Sequence, residues 1–217
     1  MKAVFFDLDG TLCNTLPDLC ASTNYALRTF DFPTLSETQV CARVGNGITK
    51  LIERAVPADR QDAVPMVKSL FLAHYGRHCT DRTVPYDGMV ETLHALKARG
   101  LLLGVISNKV HESTAKICNT LLGTDVFSLI RGQTADFPLK PDPAVLLAVM
   151  EEFGLAKTDV VYVGDSDVDL EFAKNAGVRA IGCAWGFRGR KFLAEHGADT
   201  ILDAPNELIQ TMQHGGI

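Results

Sequence analysis

Short, unbroken apolar runs that stop abruptly at polar residues constrain this chain most. Val4-Phe5-Phe6 stops at Asp7, Leu101-Leu102-Leu103-Gly104-Val105-Ile106 stops at Ser107-Asn108, and Val160-Val161-Tyr162-Val163 stops at Gly164-Asp165. Runs without polar alternation suit strands covered on both faces, as in a parallel sheet. Val126 to Ile130 and Arg179 to Cys183 are weaker strand candidates. Helical patterns ending in glycine lie between the runs: Val90, Leu93 and Leu96 before Gly100, Leu146, Leu147, Met150 and Phe153 before Gly154, and Ala173 and Ala176 before Gly177. Glycine there suits a left-handed helix stop. Strands separated by single helices imply right-handed β-α-β crossovers. The expected core is therefore α/β, a doubly wound (Rossmann-like) parallel sheet.

Residues 14–83 break the alternation, because only helical patterns occur there. Leu16, Leu19, Thr23, Leu27 and Phe30 share one face behind Thr15 and Pro17, which read as a cap and a first-turn proline. Ser36-Glu37-Thr38-Gln39 reads as a capping box, and Val64, Val67, Phe71 and Tyr75 make a further apolar stripe. A crossover between parallel strands needs only about a dozen residues. The insertion is therefore expected to be an α-helical cap domain (14–83) over a core formed by 1–13 and 84–217, with hinges near Asn14 and Thr83-Val84-Pro85.

Charge and composition narrow the partners. Lys and Arg number 21 against 26 Asp and Glu, a formal net charge of −5, which disfavours a nucleic-acid partner needing a basic face. No apolar run approaches the roughly 18 residues of a membrane span, and the opening apolar stretch is too short for a signal peptide. A cytoplasmic protein with no membrane partner is expected. The six cysteines form no C-x-x-C pair and read as reduced thiols rather than a zinc ribbon or redox dithiol. His74 and His78, beside Cys79, lack the glutamate of H-E-x-x-H and read as a solvated helix face. Monomer and homodimer both stay open.

Ligands of an open α/β sheet bind beyond the carboxyl ends of its strands. Asp7, Ser107-Asn108 and Gly164-Asp165 all fall at expected strand ends. Gathering Asp7, Asp9 and Asp165 in one crevice concentrates negative charge that a cation or proton must offset. Few carboxylates together with a substrate phosphate describe a magnesium site.

Asp7-Leu8-Asp9-Gly10-Thr11, Ser107-Asn108, Lys140-Pro141-Asp142-Pro143 and Gly164-Asp165-Ser166-Asp167-Val168-Asp169 resemble, in order, the four motifs of the haloacid dehalogenase-like hydrolase superfamily. The helical insertion resembles that family's cap. Val44-Gly45-Asn46-Gly47 and Trp185-Gly186-Phe187-Arg188 are similar to its phosphoglycolate phosphatase branch, whereas Asn14 stands where relatives often carry Asp. The resemblance implies a Mg2+-dependent phosphatase acting on a small phosphorylated metabolite, with 2-phosphoglycolate the leading candidate. In that scheme Asp7 forms an aspartyl-phosphate and Asp9 is general acid and then general base. Ser107 donates to a phosphoryl oxygen, Asn108 and Thr11 are secondary donors, and Lys140 pairs with Asp7 and the phosphate. Magnesium is held by the Asp7 and Asp165 carboxylates and the Asp9 backbone carbonyl. Arg43, Gly45, Asn46 and Lys109 are candidates for the substrate's other end. Asp169 either meets a metal-bound water or orients Lys140. A pyrophosphatase or a phosphosugar mutase would use the same site. A non-enzymatic phospho-acceptor domain is disfavoured by the lid and by Asp9, and a dehalogenase by the acid at Asp9.

Overall fold

The computed structural model describes residues 1–212. Its strands are β1 (Ala3–Phe6), β2 (Cys13–Asn14), β3 (Val84–Pro85), β4 (Leu102–Val110), β5 (Leu129–Gln133), β6 (Val160–Gly164), β7 (Arg179–Cys183) and β8 (Ile201–Leu202). Its helices are α1 (Leu16–Thr29), α2 (Glu37–Cys41), α3 (Gly47–Ala55), α4 (Val64–His78), α5 (Met89–Ala98), α6 (His111–Ile117), α7 (Ala144–Glu152), α8 (Asp167–Ala176), α9 (Gly189–Glu195) and α10 (Glu207–Thr211). Among the described residues no helix is long and apolar enough to cross a membrane.

Six strands form one sheet in the order β5-β4-β1-β6-β7-β8, and every neighbouring pair is parallel. The chain moves from β1 out to β5, then returns to the other side of β1 at β6. That reversal opens a crevice at the carboxyl ends of β1, β4 and β6. Successive strand residues point to opposite faces. Val4 and Phe6 accordingly pack with Met89, Leu93 and Leu96 of α5, while Ala3 and Phe5 pack with Leu146 of α7 and Phe172 of α8. Both faces are covered, as the unalternating runs require.

Two strands depart from expectation. β4 continues through Ser107, Asn108 and Lys109 to Val110, and its register against β5 shifts between Ile106 and Val110. Gly132 of β5 permits this, since a Cβ there would lie 2.5 Å from the Lys109 carbonyl oxygen. β5 itself begins at Leu129, three residues beyond the expected Val126. Val126 is buried in the core ahead of the strand, whereas every residue of this edge strand is half-exposed and no apolar run marks it.

Between β2 and β3 the chain is helical, comprising α1 to α4 and a 3-10 turn at Ala58–Ala63. The Ser36–Gln39 capping box is formed. Thr15 does not cap α1 with its side chain; its hydroxyl donates instead to Asp9 Oδ1 at 2.6 Å, a charged and therefore stronger acceptor. His74 is half-buried rather than solvated, stacked on Tyr25 at 4.1 Å with Nδ1 2.9 Å from Ser22 Oγ.

The insertion's two crossings are bound together. β2 pairs antiparallel with β3, matching Cys13 with Pro85 and Asn14 with Val84. Beside them Asp18, only 2% exposed, accepts hydrogen bonds from the backbone N–H of Arg82 (2.9 Å) and Thr83 (2.8 Å) and from the Thr83 hydroxyl (2.9 Å). Removing the carboxylate strands these donors away from water. Asp18→Ala is expected to lower the unfolding free energy by about 2–4 kcal/mol in urea denaturation, and Thr83→Val by about 1 kcal/mol. An unchanged midpoint for Asp18→Ala would contradict this account of the hinge.

Candidate active site

Asp7 follows β1 directly and extends its ladder, its N–H donating to the Val163 carbonyl at 2.9 Å. One carboxylate oxygen, Oδ1, accepts Lys140 Nζ at 2.9 Å, while Oδ2 accepts no hydrogen bond from the described residues. Asp165, just past β6, accepts the Phe187 N–H on Oδ2 at 2.7 Å. It is wedged between two loops that only glycine allows so close. A Cβ on Gly10 (φ +83°) would lie 2.3 Å from Asp165 Oδ2, and one on Gly186 would lie 2.3 Å from Asp165 Cβ.

Lys140 ties the site together. Its ammonium donates to Asp7 Oδ1, to Asp169 Oδ1 at 2.7 Å and to the Tyr162 hydroxyl at 2.8 Å, which uses all three of its N–H groups. Tyr162 in turn donates to the Ile106 carbonyl at 2.6 Å. Asp169 is fixed at its other oxygen by the Ser166 N–H (3.2 Å) and hydroxyl (2.7 Å), the capping box of α8. Asp169 thus meets Lys140 directly.

Asp7, Asp165 and Asp169 each bring a carboxylate oxygen within 4.8 Å of the others, and all three are buried. Burial raises the Asp7 pKa to about 6, against the opposing pull of Lys140. Burial, then the charges of Asp169 and Asp7, pushes Asp165 well above the carboxylate range. Burial draws Lys140 down, but Asp169 and Asp7 outweigh it and hold the ammonium well above its ordinary value. Three acids thus share one cation, and Asp7 Oδ2 and Asp165 Oδ1 have no donor among the described residues. An all-oxygen set with surplus negative charge suits a hard divalent cation.

The Asp9 carboxylate stands outside that cluster. Oδ1 accepts the Thr15 hydroxyl and Lys109 Nζ (2.8 Å), and Lys109 also reaches Oδ2 at 3.1 Å. The third carboxylate of the cluster is therefore Asp169, not Asp9, whose own carboxylate is held by Thr15 and Lys109. Ser107 lines the crevice, and its Oγ accepts the Lys109 N–H at 3.4 Å, leaving the hydroxyl proton free to donate. Asn108 lines it as well, but its amide is engaged on every side. Nδ2 donates to the carbonyls of Gly45 (3.1 Å) and Lys140 (3.0 Å), and Oδ1 accepts the Lys140 N–H at 2.8 Å. Asn108 thus orients Lys140 and joins core to cap, in place of the free phosphate donor expected.

The crevice lies between this polar floor and the cap, and its lining includes Asp7, Asp9, Ser107, Asn108, Lys140, Asp165 and, from the cap, Gly45. Thr11, Arg43 and Asn46 are not among the lining residues. Thr11 is fully buried, with its carbonyl accepting Trp185 Nε1 at 2.9 Å. Arg43 donates to the carbonyls of Arg54 (2.8 Å) and Gln39 (2.5 Å), and Asn46 Oδ1 accepts from Arg54 at 3.0 Å, so both serve the cap's own framework. Arg188 ends the segment Trp185-Gly186-Phe187-Arg188 and has no role assigned to it by the sequence. It lines the crevice and donates across it to the cap carbonyls of Val44 (2.8 Å) and Cys41 (3.3 Å). Tyr75, noted only as part of an apolar stripe, also lines it, with Lys109 Nζ 4.5 Å from its ring centroid.

Comparison with known proteins identifies the family. The model of the haloacid dehalogenase-like hydrolase family matches residues 4–183. The phosphoglycolate phosphatase of Pasteurella multocida (strain Pm70) is 33% identical, over 93% of this chain and 94% of its own. That of Salmonella typhimurium (strain LT2) is 31% identical, over 98% of this chain and 92% of its own. The crystal structure of a predicted phosphoglycolate phosphatase from Haemophilus somnus 129pt superposes with a TM-score of 0.92 at 33% identity, covering 98% of each chain. The chain belongs to the haloacid dehalogenase-like hydrolase family, on its phosphoglycolate phosphatase-like branch.

Proposed function

We propose that this phosphatase is magnesium-dependent and hydrolyses a small phosphate monoester through an aspartyl-phosphate on Asp7, with 2-phosphoglycolate as its leading substrate. The observation that carries the reading is the state of Asp7. Lys140 holds one oxygen at 2.9 Å while the other is free of hydrogen bonds, the arrangement an attacking carboxylate needs. In the first step the bond from Asp7 Oδ2 to phosphorus forms as the ester bond breaks, and Asp9 gives the leaving oxygen its proton. In the second, Asp9 takes a proton from the water that cleaves the acyl-phosphate. Thr15 and Lys109 fix the orientation of Asp9 throughout. The Ser107 hydroxyl would donate to a phosphoryl oxygen and the charge of Lys140, its N–H groups already spent, would stabilise the phosphoryl group from beside Asp7, since placed donors and charges carry most of the catalysis in phosphoryl transfer. Asp7 and Asp165, with the Asp9 carbonyl, would hold magnesium, and Asp169 lies alongside. Bound there, the ion supplies positive charge that offsets that of phosphate and carboxylates. The names of the curated relatives support 2-phosphoglycolate as substrate.

Substrate entry calls for the cap to swing about the β2–β3 pairing, and its return excludes bulk water. The bonds such a swing must break run from Arg188 and Asn108 to the cap loop and from Lys116 to the carbonyls of Gly76 and Arg77 at 2.9 Å each.

Asp7→Asn is expected to reduce magnesium-dependent phosphate release by at least about a thousandfold across a panel of phosphate monoesters. Retained turnover in that variant, or a wild-type enzyme that hydrolyses none of the panel, would refute the reading. Asp169→Ala is expected to lower kcat by roughly 10- to 100-fold through loss of Lys140 orientation, an effect read from steady-state kinetics. The acids also predict a pH effect. A folded-state pKa of about 6 for Asp7, raised from 3.8, means the folded metal-free chain holds that proton more tightly than the unfolded chain. Stability from this source falls as pH rises from about 4 to about 6, and Asp165 acts in the same direction and extends the fall. Added Mg2+ should therefore raise Tm more at about pH 7.5 than at about pH 5, measured against EDTA controls. A larger rise at the lower pH would contradict the assignment.

A further inference from the structure

We propose, resting on the reading of Asp9 as proton donor to the leaving oxygen, that Lys109 and Tyr75 form a subsite for a carboxylate carried by the leaving group. Three cations line the crevice, Lys109, Lys140 and Arg188, and all come from the core. Lys140 has no N–H to spare. Arg188 spends two of its five N–H groups on the carbonyls of Val44 and Cys41, which tie it to the cap loop, and among the described residues it makes no bond to Asp9. Of the three, only Lys109 bonds Asp9 among the described residues. Its side chain is 5% exposed and it spends two N–H groups on the single carboxylate of Asp9, which leaves a third.

Tyr75 of α4 faces that ammonium from the cap, with the ring centroid 4.5 Å from Nζ. The residue is 3% exposed, and its phenolic hydroxyl is buried with no hydrogen-bond partner. Folded proteins rarely leave such a group unpaired, and one that lines a ligand crevice signals a missing partner. Burial holds the phenol well above its ordinary pKa, so it stays a donor. The rest of the cap's contribution is mainly apolar, from Leu19, Val44, Ile48, Leu51, Phe71 and Leu72, and no cap cation is among the described lining residues. A second negative charge on the substrate thus finds an ammonium bonded to Asp9 and, over that ammonium, the ring that carries the unpartnered hydroxyl.

The dimensions agree. Lys109 Nζ lies 2.8 Å from Asp9 Oδ1. With Asp9 at roughly 2.7 Å from the leaving oxygen, Nζ is within about 5.5 Å of it. A carboxylate one carbon away from that oxygen falls in this range, as in 2-phosphoglycolate. A neutral ester of the same length would leave the Lys109 N–H and the Tyr75 hydroxyl unpaired, the condition under which polar sites discriminate strongly.

The test compares kcat/KM for 2-phosphoglycolate and for ethyl phosphate, which replaces the carboxylate with a methyl group, using the full chain with Mg2+. The wild-type ratio is expected to exceed about 100, Lys109→Met to lower it about 100-fold, and Lys109→Arg to recover part of the loss. Tyr75→Phe should lower the ratio about tenfold while leaving Tm at or above the wild-type value, since the orphaned hydroxyl is gone. If both esters lose activity equally in the variants, these residues only position Asp9 or pack the cap, and the subsite is overturned. Equal wild-type activity on the two esters would overturn the subsite and leave the phosphatase reading intact. Absence of activity on both esters and on the wider monoester panel would overturn the two together.

Discussion

The ammonium of Lys140, shared between Asp7, Asp169 and Tyr162, is the interaction on which the rest of the site depends. Burying one lysine among acids is tolerable because each of its protons meets an acceptor, and the acids need it because they are equally cut off from water. The same contact joins three parts of the sheet's carboxyl edge. Asp7 belongs to the end of β1, Tyr162 to β6 and Asp169 to the first turn of α8. Asn108, on β4, completes the frame by holding the backbone of Lys140 at both its N–H and its carbonyl.

Charge balance then divides the crevice in two. One half holds Asp7, Asp165 and Asp169, three acids with a single ammonium, and its surplus of negative oxygen suits a divalent cation. In the other half Asp9 has a lysine to itself. This separation gives two carboxylates only two residues apart different work. Asp7 keeps one oxygen free of hydrogen bonds from the described residues, whereas Asp9 is held by Thr15 and Lys109. The turn between them is made by Gly10, whose missing side chain also admits Asp165.

Much of this was legible in the sequence, for a physical reason. Strands buried on both faces must be continuous apolar runs, so β1 and β6 announce themselves and the polar residues that end them mark the crevice. Positions fixed by burial or by helix stops were readable in the same way. What was not readable depends on partners distant in the chain. Nothing local distinguishes Thr15 as a helix cap from Thr15 as a donor to Asp9, or tells whether the amide of Asn108 meets phosphate or the carbonyls of Gly45 and Lys140. Arg43 and Asn46 lie near the glycines of the cap loop in sequence, yet their side chains bond within the cap, while Arg188, far along the chain, reaches it from the core. The edge strand β5 was legible only as a weak candidate with displaced bounds, because its half-exposed residues carry little apolar signal.

The central claim is that phosphorus is attacked first by Asp7 and only then by water. Two successive in-line displacements return the configuration at phosphorus to its starting sense, whereas one displacement inverts it. Hydrolysis of a phosphorothioate monoester made chiral at phosphorus with one heavy oxygen isotope, carried out in water enriched in the third isotope, releases a thiophosphate whose sulfur and three different oxygens make it chiral, and its configuration reads this difference directly. The structure predicts retention of configuration. Inversion would show that water attacks the ester itself and would contradict the role assigned to Asp7.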